Sequence, residues 1–299
     1  MKAKIFTTLL SLTIYFCTVA AQEAAPINAK DSVVVLIRCD DIGMCHAVNM
    51  AVQQLAESKI PFSASVMFAC PWYDEAVEIL KTHPEISIGV HLTLNAEWKN
   101  YRWGPVSGRT AVPSLVDSDG YFFPSRALLF AHHPTVSDVE TELRAQVERA
   151  VHSGLHIDYL DYHMSTAVST PEFRAVVEKL AHEYGLGISR YFGEEDAEGW
   201  YAVSPEQKKD TLVAVTSNLQ PGAIRLMVFH IGLETPEMNA LVDLNPFGPR
   251  NMSQHRHAEL EALLSPEFRA ALASKHARLI TYRQLVETVG VGAMKRPRE

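Results

Sequence analysis

Short apolar runs alternate with helically spaced stretches along most of this chain, and that alternation restricts the fold more than any other feature. The runs are Val33–Arg38, Ser63–Phe68, Ser87–Leu92, His156–Asp161, Gly187–Tyr191, Ala223–His230 and Arg278–Thr281. Most are short, apolar and partly β-branched, as strands buried on both faces are. Residues of about 47–58, 72–82, 136–152, 171–184, 205–218, 256–275 and 282–289 read as helices. Pro171 suits a first helical turn, with Thr170 as its cap. Strand–helix alternation implies a parallel sheet. About seven such units favour a TIM-like (β/α) barrel, irregular or incomplete, over an open doubly wound sheet. The chain of 299 residues fits one such barrel domain, and it shows no repeat, low-complexity tract or linker.

Two stretches interrupt the alternation. Residues 93–135 carry Trp98, Tyr101, Trp103, Tyr121, Phe122 and Phe123, and residues 232–255 carry Pro236, Asn245, Pro246, Phe247, Gly248 and Pro249. Long loops in a compact domain are usually functional. Both follow strands, which places them on the C-terminal face where barrel enzymes build their sites.

The N-terminus reads as a secretory signal. Lys2 and Lys4 precede an apolar run, Ile5 to Val19, followed by Ala20, Ala21 and Gln22. The run is short for a membrane span. Cleavage near Ala21 leaves 22–299 as one domain with no spanning segment, in the periplasm or outside the cell. Cys17 leaves with the signal and lacks the preceding small residues of a lipoprotein signal. Cys39, Cys45 and Cys70 remain, an odd number without zinc-thiolate spacing, so no disulfide framework is expected. A hydrophobic fraction of 47% supplies a large core. The formal net charge of −8 argues against a nucleic-acid partner. Oligomeric state is not fixed by the sequence; a homodimer is one outcome it allows.

Polar residues recur at the C-terminal ends of the strands. Asp40 and Asp41 end the first, His91 the third, Asp161 and His163 the fourth, Arg190 the fifth and His230 the sixth. Each alone has a structural explanation: a helix cap, a core histidine, an Asp–His pair. In a parallel barrel, however, these ends converge on one rim. A carboxylate and two imidazoles suit a divalent ion such as Zn, Mn, Co or Mg. Three protein ligands leave positions for water and substrate, and the ion acts as a Lewis acid. A second carboxylate can take a proton from water, and a histidine can protonate a leaving group. This is equipment for metal-assisted hydrolysis of an amide or ester.

The run RCDDIGMCHAVNMAV, with Asp40, Asp41, Gly43 and Asn49, resembles the opening motif of the YdjC-like carbohydrate deacetylases within the polysaccharide deacetylase group. SIGVHLTLN resembles that family's Gly-x-His-Leu segment, LDYHMS its Asp-x-His segment, FHIG its His-Pro-Gly segment and RHAELEAL its Arg-x-x-Glu-Leu segment. The match runs from about Val33 to Val286. Met164 and Ser165 stand where the family often has further histidines, and Ile231 replaces the proline of His-Pro-Gly.

The resemblance implies a (β/α) barrel that removes N-acetyl groups from amino sugars or oligosaccharides with a bound divalent metal ion, Mg or Zn. It implies His91 and His163 as metal ligands, Asp41 as a ligand directly or through water, and Asp40 as the base. In the mechanism built on it, His230 protonates the departing amine, Asp161 orients a histidine, and Arg190 contacts substrate or the base. Trp98, Tyr101 and Trp103 are candidates for stacking on sugar faces, or else pack the long loop. The expected partner is an acetylated carbohydrate. Two other readings remain open: a metal hydrolase of another ester or a phosphoester, and a noncatalytic glycan-binding protein on the same barrel. A two-carboxylate glycosidase gives the rim histidines no part.

Overall fold

The computed structural model describes residues 27–297 except Phe247. The expected signal segment, residues 1–21, lies outside them. The chain runs β1 (Val34–Ile42), α1 (His46–Glu57), β2 (Ser63–Val66), α2 (Tyr73–Lys81), β3 (Ser87–Leu92), α3 (Arg126–Ala131), α4 (Val136–Val151), β4 (Ile157–Tyr162), α5 (Pro171–Tyr184) and β5 (Gly187–Ile188). It continues through β6 (Glu194–Asp196), α6 (Lys208–Ser217), β7 (Ile224–Phe229), α7 (Pro236–Asn239), α8 (Met252–Leu264), α9 (Pro266–Ser274), β8 (Arg278–Ile280) and α10 (Tyr282–Val289).

Every strand pairing is parallel. The order β5-β4-β3-β2-β1-β7-β6 makes one curled sheet, with β8 added beside the start of β1. The two ends, β5 and β6, are not hydrogen-bonded to each other among the described residues. The barrel is therefore the incomplete kind, helices covering its outside.

Alternation along each strand sorts the side chains into two cores. Val35, Ile37 and Cys39 of β1 pack with helix residues such as Ala51, Leu55, Val77 and Leu143. Val34 and Leu36 face the other way and pack with Tyr159, Ile224, Leu226 and Ile280, and with Tyr282 of α10. The rings of Tyr159 and Tyr282 stack at 4.1 Å between centroids, a contact worth about 0.5–1.5 kcal/mol beyond its buried area. Gly89 makes this possible: a Cβ there would come within 2.4 Å of the Tyr159 ring. Above this apolar layer lies a polar one. The Tyr159 hydroxyl pairs with Ser65 Oγ at 2.7 Å, and the Tyr282 hydroxyl with Ser189 Oγ at 2.6 Å.

The same period of two continues into the site. Following inward positions upward gives Val34, Leu36, Arg38, Asp40 on β1, then Gly89, His91 on β3. It gives Tyr159 and Asp161 on β4 with His163 just past its end, and Ile224, Leu226 and Val228 on β7 with His230 just past its end. Residues two apart share a strand face, so the packing that fills the interior also aims these polar groups.

Some boundaries differ from the sequence expectation. The fifth strand pairs only over Gly187–Ile188 rather than to Tyr191, because Arg190 adopts φ 69° and turns the chain away. The short β6 then pairs with β7 and was not foreseen. The expected 256–275 helix begins at Met252 and breaks at Ser265, whose side chain caps α9 ahead of Pro266. Thr170 caps α5 as expected, accepting from Phe173 N–H. Cys39, Cys45 and Cys70 are free and buried. No helix among the described residues is long and apolar enough to cross a membrane.

Candidate metal centre and active site

Strict alternation would send Asp40 and Asp41 to opposite faces of β1. A bulge resolves this: three residues of β1, from Cys39 to Ile42, advance against two of β2, from Ala64 to Val66. Asp41 occupies the bulge at φ 61°, a left-handed backbone that few non-glycine residues adopt. Both carboxylates therefore line one cavity of about 440 Å³, together with His91, His163 and His230. Met164, Ser165 and Arg190 also have positive φ on this rim, the clustering of backbone strain typical of functional sites.

Asp41 Oδ1 lies 3.3 Å from His91 Nε2 and 3.2 Å from His163 Nδ1. It is buried and makes hydrogen-bond geometry with neither ring. Ligand atoms each about 2.1 Å from one ion, at tetrahedral or octahedral angles, sit roughly 3.0–3.4 Å apart. The donor set thus fits the edge of a coordination polyhedron better than a set of hydrogen bonds. The other carboxylate oxygen, Oδ2, accepts from Arg256 Nη2 at 2.5 Å, which turns Oδ1 towards the histidines.

The far nitrogen of each imidazole faces a carboxylate. His91 Nδ1 lies 3.0 Å from Asp161 Oδ2, and His163 Nε2 lies 3.0 Å from Glu97 Oε2. Such partners fix the ring orientation and raise ligand basicity in metal sites. His91, Asp40 and Asp161 form a second cluster with metal-ligand proximity. There, however, Arg38 occupies both Asp40 oxygens and approaches Asp161, so Asp41, His91 and His163 are the better ligand set.

The YdjC-like protein family model matches residues 34–274. The chain belongs to this family. It is 25% identical over 263 residues to a carbohydrate deacetylase of Brevibacillus brevis, covering 84% of this chain and 98% of that protein. It is 27% identical over 267 residues to a carbohydrate deacetylase of Geobacillus stearothermophilus, covering 83% and 96%. A crystal structure of a proposed cellobiose-phosphate cleavage protein from Enterococcus faecalis shares the fold. Its TM-score is 0.70 at 24% identity, over 85% of this chain and 99% of that one.

In this YdjC-like protein Asp40 is held by Arg38 from its own strand, Nε to Oδ1 and Nη2 to Oδ2, both at 2.7 Å. Arg38 Nη1 also donates to Ser189 Oγ at 2.6 Å, and Nε lies 3.1 Å from Asp161 Oδ2. Burial works to raise the Asp40 carboxyl, but Arg38 and then His91 outweigh it and hold it below its ordinary value. Asp40 is therefore ionised at neutral pH. Replacing Arg38 by methionine leaves Asp40 and Asp161 buried beside each other without their shared cation. The expected loss is about 3–5 kcal/mol of stability, read by urea unfolding. It should also move the acidic limb of the kcat/KM profile to higher pH, since the group that depresses the Asp40 pKa is gone. An unchanged unfolding midpoint and an unmoved limb would contradict this role.

For two sequence expectations the structure selects between the alternatives. Arg190 pairs its fork with Asp196 rather than with Asp40, Nε to Oδ2 at 2.9 Å and Nη2 to Oδ1 at 2.7 Å, while it still lines the cavity. Tyr101 and Trp103 do not line the cavity at all. Trp103 is buried behind His163 and donates Nε1–H to the Asn95 carbonyl at 2.8 Å. The Tyr101 hydroxyl donates to the Met44 carbonyl. The Tyr101 bond ties the 93–135 insertion to the turn after β1, and the Trp103 bond folds the insertion on itself. Trp98 does reach the lining but is itself buried, with the Arg256 guanidinium 5.9 Å from its ring centroid.

Glu97, Arg38, Arg256 and Glu259 join the site without a role expected from the sequence. Glu97 had a signal: His91, Thr93, Asn95 and Glu97 alternate with apolar residues, continuing β3's inward face past its end. Gln146 of α4 holds this extension through both polar groups of Thr93's backbone, at 2.9 and 2.7 Å. Arg256 and Glu259 stand in the RHAELEAL segment. Glu259 accepts the His230 backbone N–H at 2.7 Å and the Lys208 ammonium at 2.9 Å, fixing where His230 leaves β7.

Proposed function

We propose that this protein is a metal-dependent carbohydrate deacetylase that removes N-acetyl groups from amino sugars or oligosaccharides. The observation that carries the reading is the orphaned Asp41 Oδ1 between two imidazoles, in one cavity with Asp40 and His230. The names of the relatives in Brevibacillus and Geobacillus agree with it.

Asp41, His91 and His163 would hold the ion, Mg or Zn. When bound there, a divalent cation supplies Lewis acidity for an acyl carbonyl and makes water a stronger acid. Asp40, kept ionised by Arg38, accepts the proton of the water that adds to the acyl carbon. His230 gives a proton to the nitrogen as the C–N bond breaks, so acetate and a free amine leave. The His230 ring is placed by Glu259 through its backbone and by the edge-on ring of Tyr201 at 5.4 Å. Its Nδ1 is buried without a hydrogen-bond partner. Arg256 holds Asp41, and Asp161 and Glu97 hold the two imidazoles.

Acetate release from N-acetylated sugars tests the reading. Chelation should lower the rate by at least about 10²–10³, the usual cost of losing oxyanion stabilisation, and added Mg or Zn should restore it. Equal rates in metal-stripped and metal-loaded protein would refute metal dependence. Turnover confined to O-acetyl or phosphate esters would refute the amide assignment.

A further inference from the structure

His230 stands just past the sheet. The ladder between β1 and β7 ends at Cys39 and Phe229, and β6 pairs with β7 only as far as Leu226. No strand therefore holds the His230 amide among the described residues. Glu259 of α8 takes that place, accepting the N–H through Oε2 at 2.7 Å. Two rings complete the setting. Trp200 stacks on Phe229, the residue before His230, at 5.0 Å and 17°, and Tyr201 stands edge-on to the imidazole at 5.4 Å.

These three contacts come from separate parts of the chain and meet at one atom. Lys208 Nζ donates to Glu259 Oε1 at 2.9 Å, to the Trp200 carbonyl at 2.9 Å and to the Tyr201 carbonyl at 3.0 Å. An ammonium has three N–H donors, and all three are used. Neither position nor burial favours a lysine here for its own sake. Lys208 opens α6, the helix end where the dipole disfavours a cation. It is also completely buried, which is costly for a charge. Apolar side chains of the same volume as Lys208 and Glu259 would stabilise a fold as well or better. What the charged pair adds is direction: its hydrogen bonds fix one orientation of α8, of the 200–201 backbone and of the chain leaving β7.

We propose that Lys208 is a positioning residue for His230, setting its backbone through Glu259 and its ring through the carbonyls of Trp200 and Tyr201. The inference rests on the reading of His230 as the group that protonates the leaving nitrogen. It extends that reading to a side chain that does not line the metal cavity. The chemistry separates positioning from folding. An amine must gain a proton as the C–N bond breaks, whereas 4-nitrophenolate leaves as the anion. A misplaced His230 therefore slows the release of acetate from an N-acetylated hexosamine and spares 4-nitrophenyl acetate at the same centre.

The experiment measures kcat and KM for both substrates in the metal-loaded protein, with and without Lys208→Met, alone and in a His230→Gln background. Lys208→Met should lower kcat for the amide by at least about tenfold, part of the ~10²–10⁴ that a positioned acid supplies. KM for the amide and the ester rate should stay within about twofold of wild type. In the His230→Gln background the same substitution should cost nothing further, because residues that act through one another are not additive. Equal losses for amide and ester, or the same loss in both backgrounds, overturn the proposal. An unchanged amide rate in His230→Gln removes His230 as the acid, and the proposal with it. If neither substrate turns over, the imidazole proton resonance of His230, assigned by its loss in His230→Gln, decides. Lys208→Met should shift it and leave the other histidine signals in place; an unmoved signal overturns the placement. Lys208→Met/Glu259→Gln carries no unpaired carboxylate and is judged by the same criteria if the single variant does not fold. Failure of both to fold makes Lys208 a structural residue and overturns the proposal.

Discussion

Asparagine in place of Asp40 is expected to lower kcat by about 10²–10⁴, the range that a positioned general base supplies, while the protein keeps its full complement of metal. The two effects separate because Asp40 is not among the best ligand set. Both of its oxygens accept from Arg38, whereas Asp41 Oδ1 faces the imidazoles. Asparagine has the same shape, retains one acceptor for Arg38 and cannot take a proton from water at neutral pH. KM should change little, since the substitution removes a proton acceptor rather than a binding surface. Metal analysis beside steady-state kinetics checks it. A variant with wild-type kcat would remove Asp40 as the base, and one that has lost its metal would move it into the coordination shell.

Alanine in place of His163 should abolish metal retention after dialysis and lower activity by at least about 10²–10³. Its Nδ1 is one of the three proposed ligand atoms, with His91 Nε2 and Asp41 Oδ1, and Glu97 behind it would be left buried and unpaired. The same residue governs how metal binding depends on pH. In the metal-free protein burial opposes the charge on both imidazoles, but the carboxylates win. Asp161 and Asp40 push His91 up to about 9, and Glu97 with Asp41 pushes His163 up to about 10. Both rings are therefore protonated near neutrality, and an incoming cation must displace those protons. Affinity should rise with pH through this region and fall as the solution is acidified. The stability of the metal-free protein runs the opposite way. Folded-state pKa values above the unfolded value of about 6.5 contribute stability that is complete below that value and lost as pH rises through about 9 to 10. Titration calorimetry in buffers of different ionisation enthalpy measures the proton release directly; zero release at neutral pH would contradict the assignment.

The two predictions depend on different kinds of information. That Asp40 and Asp41 would both line one cavity is suggested by their place at a strand's end, but strand periodicity by itself would have separated them. The bulge at Asp41 and its positive φ reconcile the pair, and neither is encoded by a recognisable local motif such as glycine. His91, Asp161, His163 and His230 were more legible, because each continues the inward phase of its own strand. Arg190 lines the cavity, but the chain turns there and its fork goes to a carboxylate on the Glu194–Asp196 strand, which has no apolar pattern to announce it. Tyr101 and Trp103 had two readings, and loop packing is the one observed. Aromatic residues in a long loop supply packing and sugar contact equally well, and which they do depends on the side of the loop that meets the barrel.

The sequence by itself determined the repeating strand–helix order, the parallel sheet, the family and the rim on which the polar strand ends would gather. These follow from periodicity and from the shared direction of parallel strands, which are local properties. Only the tertiary structure decided which oxygen of Asp41 is free and which carboxylate backs each histidine. Those outcomes depend on Arg256 and Glu97, whose partners are 215 and 66 residues away along the chain. Separations of that size are closed by packing of the whole barrel, and a charge finds its partner only once burial has removed water as the alternative.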